Sequence, residues 1–201
     1  MNHIDHIFYI NLKSREDRKA QIESELEKYE LKAERFEAVS TPGFGAAGCM
    51  QSHLEILKLA KEHRYKNVLI LEDDFQFVVD EKQFREQLDK FFTSQIEYDV
   101  CFLSYNAIHG EKTQYDFIQR TTDCQTASGY IVNQHYYDKL IDLFADALPK
   151  LIATRQHWIY ANDQIWKSLQ KTDKWYLFSP RTGIQRESYS DLAGRVVNYN
   201  C

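Results

Sequence analysis

Asn67-Val68-Leu69-Ile70-Leu71-Glu72-Asp73-Asp74 runs an almost wholly apolar segment straight into three consecutive carboxylates. A short unbroken run of Val, Leu and Ile between polar residues predicts a strand buried on both faces, as in a largely parallel sheet. Open sheets of that kind bind ligands just beyond the carboxyl ends of their strands, where these acids fall. Side chains alternate along an extended backbone, which predicts Glu72 and Asp74 on one face and Asp73 on the other. Two carboxylates on one face offer hard oxygen ligands to Mg2+ or Mn2+, ions that complete their shells with waters and phosphates. The plainer reading is a solvated acidic turn. Three acids packed against so apolar a strand favour a functional site. By chemistry alone, the segment points to a metal-diphosphate enzyme.

The rest of the composition fits that reading. The 201 residues are 43% hydrophobic and 27% charged, as in a soluble globular chain long enough for one domain. A formal charge of −5 argues against nucleic acid as the main partner, though not against a local basic pocket for a diphosphate. Met1 to His6 lacks the basic region and apolar core of a signal peptide. No apolar run approaches the roughly 20 residues needed to span a bilayer. Cys49, Cys101, Cys124 and Cys201 show no CxxC spacing, so they read as reduced thiols in a cytosolic-type environment, without a zinc signature. The expected location is cytoplasmic, or peripheral to a membrane.

Strands and helices alternate along the chain. Ile4 to Leu12 reads as a first strand. Ser14-Arg15-Glu16-Asp17 resembles a capping box opening a helix through Ile22, Leu26 and Tyr29. Arg35 to Val39 is a second short strand, and Thr41 to Gly48 a Gly-rich turn. Cys49 to His63 follows as a helix. Beyond the acids, Glu81 to Phe92 is helical, Val100 to Leu103 and Asp116 to Gln119 are strands, and Ala127 to Val132 leads into a helix through Leu148. Trp158 to Leu169 reads as one helix, Trp175 to Phe178 as a last strand, and everything from Ser179 as polar and irregular. The class is α/β with a largely parallel sheet, in a single domain over residues 1–201.

Four further segments carry chemistry, each with a plainer alternative. The loop Asn11 to Arg18 ends a strand and opens a helix, a place where arginines meet phosphate oxygens; a surface helix with ion pairs reads the same way. Ser52 and His53 follow a turn glycine and could enter a pocket, although a lone helical His is usually structural. Asp163 sits between Trp158 and Trp166, where an acid is a poor mid-helix residue. It suits a general base for a hydroxyl, or it is simply solvated. The tail from Pro180 to Tyr199, with Gln185 and Arg186, suits a lid over phosphates or is a loose end.

In this order the motifs resemble glycosyltransferase family 25. Ile10-Asn11-Leu12 with Asp17-Arg18 resembles the family's opening, Gly48 to His53 its "GC…SH" segment, and Val68 to Asp74 its "VLILEDD". Ala127 to Val132, Asp163, Gln185 and Ser190-Asp191 resemble later elements more loosely. The resemblance implies a GT-A (Rossmann-like) fold and inverting transfer of a hexose, galactose or glucose, from a UDP-sugar. The acceptor would be a hydroxyl on a glycan, lipooligosaccharide or hydroxylysine. It implies Mn2+ or Mg2+ held by Glu72 and Asp74, with Asn11, Leu12, Arg15, Arg18, Ser52, His53, Gln185 and Arg186 around the donor and Asp163 as base. The chain is short for the family, and its last histidine is His157, so a C-terminal His ligand is lacking.

Two other readings share the acidic strand end. A nucleotidyltransferase would also hold a metal there, but it would carry a glycine-rich loop after the first strand, and Asn11 to Ser14 has no glycine. A non-catalytic glycan-binding or scaffold relative is the other, and the intact Glu72-Asp73-Asp74 argues against it.

Overall fold

The computed structural model describes residues 3–190, 195–198 and 201. The chain opens with β1 (His6–Asn11), α1 (Glu16–Lys28), β2 (Glu34–Glu37) and α2 (Gly45–Glu62). The acid-tipped segment is β3 (Asn67–Glu72), followed by the short β4 (Phe75–Phe77) and α3 (Glu81–Thr93). Next come β5 (Val100–Phe102), β6 (Asn106–Lys112), β7 (Ile118–Gln125), β8 (Gly129–Asn133) and α4 (Tyr137–Thr154). Three single-turn helices follow, α5 (His157–Tyr160), α6 (Asn162–Ile165) and α7 (Lys167–Gln170). The chain closes with β9 (Trp175–Phe178), β10 (Gly183–Gln185), β11 (Ser188–Ser190) and β12 (Arg195–Val197).

Eight strands form one sheet in the order β2-β1-β3-β8-β5-β9-β7-β6. β1 pairs in parallel with β2 and β3, and β5 with β9. β8 runs antiparallel to β3 and β5, and β7 antiparallel to β9 and β6. Six strands therefore point one way and only β7 and β8 oppose them. The α/β class is as expected, and β3 lies inside the sheet, as its unbroken apolar run requires.

Strand alternation divides the core in two. Phe8, Ile10, Val68, Ile70, Val100 and Phe102 pack with Met50, Leu54 and Leu57 of α2 and with Leu140 and Phe144 of α4. Ile7, Tyr9, Leu69, Leu71 and Cys101 face the other way, against Ile22 and Leu26 of α1 and Phe84, Leu88 and Phe91 of α3. The parity of a β3 residue thus decides which helix it meets: even numbers face α2, odd numbers face α1.

Several local expectations need correction. Arg15, not Ser14, is the N-cap of α1, and no side chain caps that end. Helix α2 begins at Gly45, so the last glycines of the expected turn belong to its first turn. A Cβ on Gly48 would lie 2.2 Å from the Val39 carbonyl oxygen, so only glycine lets α2 sit this close to the chain after β2. The single helix expected from Trp158 to Leu169 is broken, because Ala161 has extended backbone (φ −62, ψ 153). Among the described residues after Ser179 there is more regular structure than expected, with β10 pairing antiparallel to β4.

Candidate active site

β3 ends at Glu72, and that residue turns toward α2 as its even number dictates. Its Oε1 lies 3.0 Å from His53 Nε2 and 3.5 Å from Cys49 Sγ, both on α2. The other ring nitrogen of His53 is 2.8 Å from the hydroxyl of Tyr130 on β8. Burial pushes the Glu72 carboxyl up, but the hydrogen bond and charge of His53 outweigh it and hold Glu72 below the ordinary range.

Asp73 points the opposite way, toward α1. It accepts from Asn11 Nδ2 at 2.8 Å and from Arg18 Nη1 at 2.9 Å. Asp74 does not return to the face of Glu72, because the strand has ended and the chain is turning into β4. Its Oδ2 accepts from the same Arg18 nitrogen at 3.2 Å and from Gln185 Nε2 at 3.1 Å. The expectation of Glu72 and Asp74 on one face is corrected: alternation separates Glu72 from Asp73 and then stops.

Asp74 is nonetheless crowded by negative charge. Burial and the Glu72 charge push its carboxyl up to about 7, against the pull of Arg18. Its Oδ1 is buried and has no hydrogen-bond partner. Asp73 is raised as well, by burial above all. One arginine shared by two buried carboxylates, with a third nearby, leaves an excess of negative charge that a cation would relieve.

Asp163 lies in the first turn of α6, where an acid suits the helix dipole, rather than in mid-helix as expected. Its Oδ2 accepts from the Thr126 backbone N–H at 3.3 Å and its Oδ1 from Gln164 at 3.3 Å. Burial raises its carboxyl above the ordinary value, and the Glu72 charge adds to the rise. Thr126 itself has φ 85, a left-handed conformation unusual for a β-branched residue, and its Oγ1 donates to Cys201 Sγ at 3.1 Å. Strain beside a raised carboxyl is the kind of feature found at working sites.

The remaining expected donor residues divide into two groups. Gln185 and Arg186 do reach the acids: besides the Gln185 contact, the Arg186 backbone N–H donates to the Asp74 carbonyl at 2.7 Å, and its guanidinium reaches Glu25 at 3.5 Å. Arg15 pairs with Asp17 at 2.9 Å, and Leu12 is half-buried at the loop. Ser52, His53 and Asn11 are corrected from donor-facing residues to supports. Ser52 is fully buried, donating to the Gly48 carbonyl at 2.7 Å and accepting from Val39 N–H at 2.9 Å. His53 is fully buried on Glu72 and Tyr130, and Asn11 ties Arg35, Arg15 and Asp73 together. Asp191 of the expected Ser190-Asp191 element lies outside the described residues.

Cys49, Tyr130 and Thr126 were not expected at the site. The spacing of Cys49 and His53, four residues apart on one helix face, was a legible signal. Two surface grooves of about 410 and 540 Å3 have other linings. The first lies between α3 and Ser179-Pro180, the second at the start of β1 and β2. At the acid cluster, the Arg18 and Gln185 side chains and the Arg186 backbone N–H contact Asp74, while the Glu72 side chain stays 20% exposed.

No family model matches the chain. It is similar to a "Glycosyltransferase 25 family member" of Drosophila pseudoobscura pseudoobscura, 28% identical over 183 residues, covering 74% of this chain and 28% of the relative. A protein of the same description from Drosophila melanogaster is 28% identical over 138 residues, covering 54% of this chain and 22% of that one. The chain thus spans under a third of the length of these curated relatives. Among solved structures, a mannose-1-phosphate geranyltransferase from Thermus thermophilus is 10% identical with a TM-score of 0.45, covering 89% of this chain and 58% of that one. A glycosyltransferase involved in glycosylation of the major capsid of PBCV-1 is 9% identical with a TM-score of 0.41, covering 86% and 91%. Both are distant likenesses in fold.

Proposed function

We propose that this chain, which is similar to two glycosyltransferase family 25 members and carries motifs resembling that family's, is a member of it that transfers a hexose from a UDP-sugar to an acceptor hydroxyl with inversion. The observation that carries the reading is Asp74: a buried carboxylate oxygen without a partner, at a strand end, beside Glu72. That oxygen-rich, negatively charged setting suits Mn2+ or Mg2+, with Asp74 and Glu72 as protein ligands, brought to the ion not by a shared strand face but by the proximity through which the Glu72 charge acts on Asp74. When bound, the ion would neutralise charge on the diphosphate as UDP departs.

This chain's own residues do the rest. Arg18 now balances Asp73 and Asp74, and a diphosphate arriving with its cation offers it phosphate oxygens instead. Arg15 at the N-terminus of α1 adds a second donor on the same loop. His53, held by Tyr130, fixes the orientation of Glu72. Gln185 and Arg186 lie across Asp74, so the segment from Pro180 to Ser190 acts as a lid that lifts and recloses with the donor.

In a single displacement the acceptor oxygen attacks the anomeric carbon as the bond to the diphosphate oxygen breaks, and UDP leaves with the electron pair. The hydroxyl proton passes to Asp163, whose raised carboxyl makes it a better base than an exposed aspartate. Trp158, 62% exposed and close in sequence to Asp163, offers a face to an acceptor sugar ring. The acceptor class is a hydroxyl on a glycan, a lipooligosaccharide or a protein. Among the described residues no helix is long and apolar enough to cross a membrane.

The test is donor turnover with Mn2+ present, scoring UDP against pyrophosphate. UDP released from a UDP-hexose supports the reading. Pyrophosphate release would make the chain a nucleotidyltransferase, and failure of UDP to raise the melting temperature with Mn2+ would leave no donor site.

A further inference from the structure

Cys49, His53 and Glu72 offer one ligand atom each, and those atoms all lie within 4.8 Å of one another. Cys49 and His53 are four residues apart on α2, and Glu72 comes to them from the end of β3. The donor set is a thiol, an imidazole and a carboxylate. Mn2+ and Mg2+ favour all-oxygen shells, whereas zinc-class ions favour sulfur and nitrogen. We propose that Cys49, His53 and Glu72 form a site for a thiophilic divalent cation of the zinc class, and that its occupancy inhibits transfer by withdrawing Glu72 from the donor ion. The inhibition rests on the function proposed above; the binding does not.

The geometry favours such an ion. Zinc bonds of this type in a tetrahedron set the sulfur roughly 3.5 Å from the oxygen and the nitrogen roughly 3.4 Å from it. The structure has 3.5 Å from Cys49 Sγ to Glu72 Oε1 and 3.0 Å from His53 Nε2 to the same oxygen. A small parting of His53 and Glu72 would admit the ion, with water as fourth ligand.

The outer support is also in place. A ligating histidine nearly always binds its other ring nitrogen to a polar group, and His53 Nδ1 is 2.8 Å from the Tyr130 hydroxyl. Without an ion, His53 Nε2 pairs with Glu72 and Nδ1 with the Tyr130 hydroxyl, whichever of that second pair donates. With an ion on the Nε2 lone pair, Nδ1–H donates and the Tyr130 oxygen accepts. A hydroxyl can take either role, so the exchange leaves no buried group unpaired. The Cys49 proton passes to solvent as the thiolate binds. Cys49 keeps partial exposure, which gives the ion an entrance, while His53 and Tyr130 are fully buried.

Cobalt(II) is the probe, because a thiolate ligand gives it a charge-transfer band in the near ultraviolet. The band is expected in the wild-type chain and in Cys201→Ser, and absent from Cys49→Ser. Competition against a chromophoric chelator should show zinc at least tenfold weaker in Cys49→Ser, with folding of each variant checked by circular dichroism. No band in the folded wild type, or an equal band in Cys49→Ser, overturns the site. For the second half, zinc should reduce Mn2+-supported UDP release in the wild type. The ratio of rates with and without zinc should stay near one in Cys49→Ser. Zinc that binds without changing that ratio in the wild type overturns the inhibition and leaves the site standing. A chain that never releases UDP defeats the proposed function, while the cobalt spectrum still decides the site.

Discussion

Arg18 donates to Asp74 across 3.2 Å, joining α1 to the turn after β3, with the two side chains only 12% and 6% exposed. The same guanidinium nitrogen serves Asp73 at 2.9 Å. One cation therefore balances two buried anions, with Glu72 pressing on Asp74 from the other side. Removing Arg18 strands both carboxylates. Arg18→Met should cost about 3–5 kcal/mol in urea unfolding with chelator present, the range for breaking a buried pair. Mn2+ should recover part of that loss, because an ion at Asp74 replaces the missing charge. Parental stability would mean these acids are better solvated than their burial indicates; a destabilised variant indifferent to Mn2+ would mean they hold no ion.

Asp74→Asn removes a formal charge from the proposed ion while Arg18 keeps Asp73 as partner. Donor turnover should fall on the order of 100-fold or more, the scale for losing one preorganised electrostatic element. Circular dichroism should be unchanged. Glu72→Gln should act in the same direction. Near-normal turnover in both variants would move the metal elsewhere.

A pH dependence follows from Asp173, whose carboxyl is held by Tyr136 and Lys139 rather than by any residue of the acid cluster. Burial alone would push its carboxyl up, but hydrogen bonds from Lys139 and Tyr136, each 2.5 Å long, outweigh that and hold it below the usual range. Tyr136 in turn accepts from Trp175 at the start of β9. With the folded value below the unfolded one, the stabilisation is complete above the unfolded value of about 3.9. As pH falls, the unfolded chain takes up the proton first, so stability falls and the contribution disappears below the folded value. Urea midpoints should therefore drop between about pH 5 and pH 3, and drop less in Asp173→Asn. Equal acid sensitivity in the variant would assign the loss to other carboxylates.

The apolar run of β3 announced its place in the sheet because a strand covered on both faces has no polar positions to disguise it. The helices legible in sequence were those with a long one-sided stripe, as in α3 with Phe84, Leu88 and Phe91. The site was legible as residue types and only partly as geometry. Alternation opposed Glu72 to Asp73, but it cannot say where a strand ends, so it gave Asp74 the wrong face. Ser52 and His53 were in the right neighbourhood with the wrong role, since burial on the Gly48 carbonyl or on Tyr130 depends on how α2 meets distant chain. The contact from Tyr130 to His53 spans 77 residues, and that from Thr126 to Cys201 spans 75, with no local pattern to betray either. The break at Ala161 is likewise tertiary: neither glycine nor proline marks it.

That break changes the argument for Asp163. In mid-helix the acid would have been an oddity in need of a reason; in the first turn of α6 it is an ordinary occupant. What remains unusual is its surroundings. The carboxylate is raised by burial and by the Glu72 charge, and it is held by the N–H of a residue in left-handed backbone. A base needs a high proton affinity and a fixed lone pair, and both conditions are met here. Asp163→Asn keeps size and hydrogen-bonding reach, so the Thr126 contact should survive and the chain should fold. UDP affinity with Mn2+ should stay within a few-fold of the parent, while transfer to acceptor slows by about 100- to 10,000-fold. Both are measured on the same purified variant. Transfer at the parental rate sinks the assignment. Loss of UDP binding along with transfer would move Asp163 out of the base's position and into the support of the donor site.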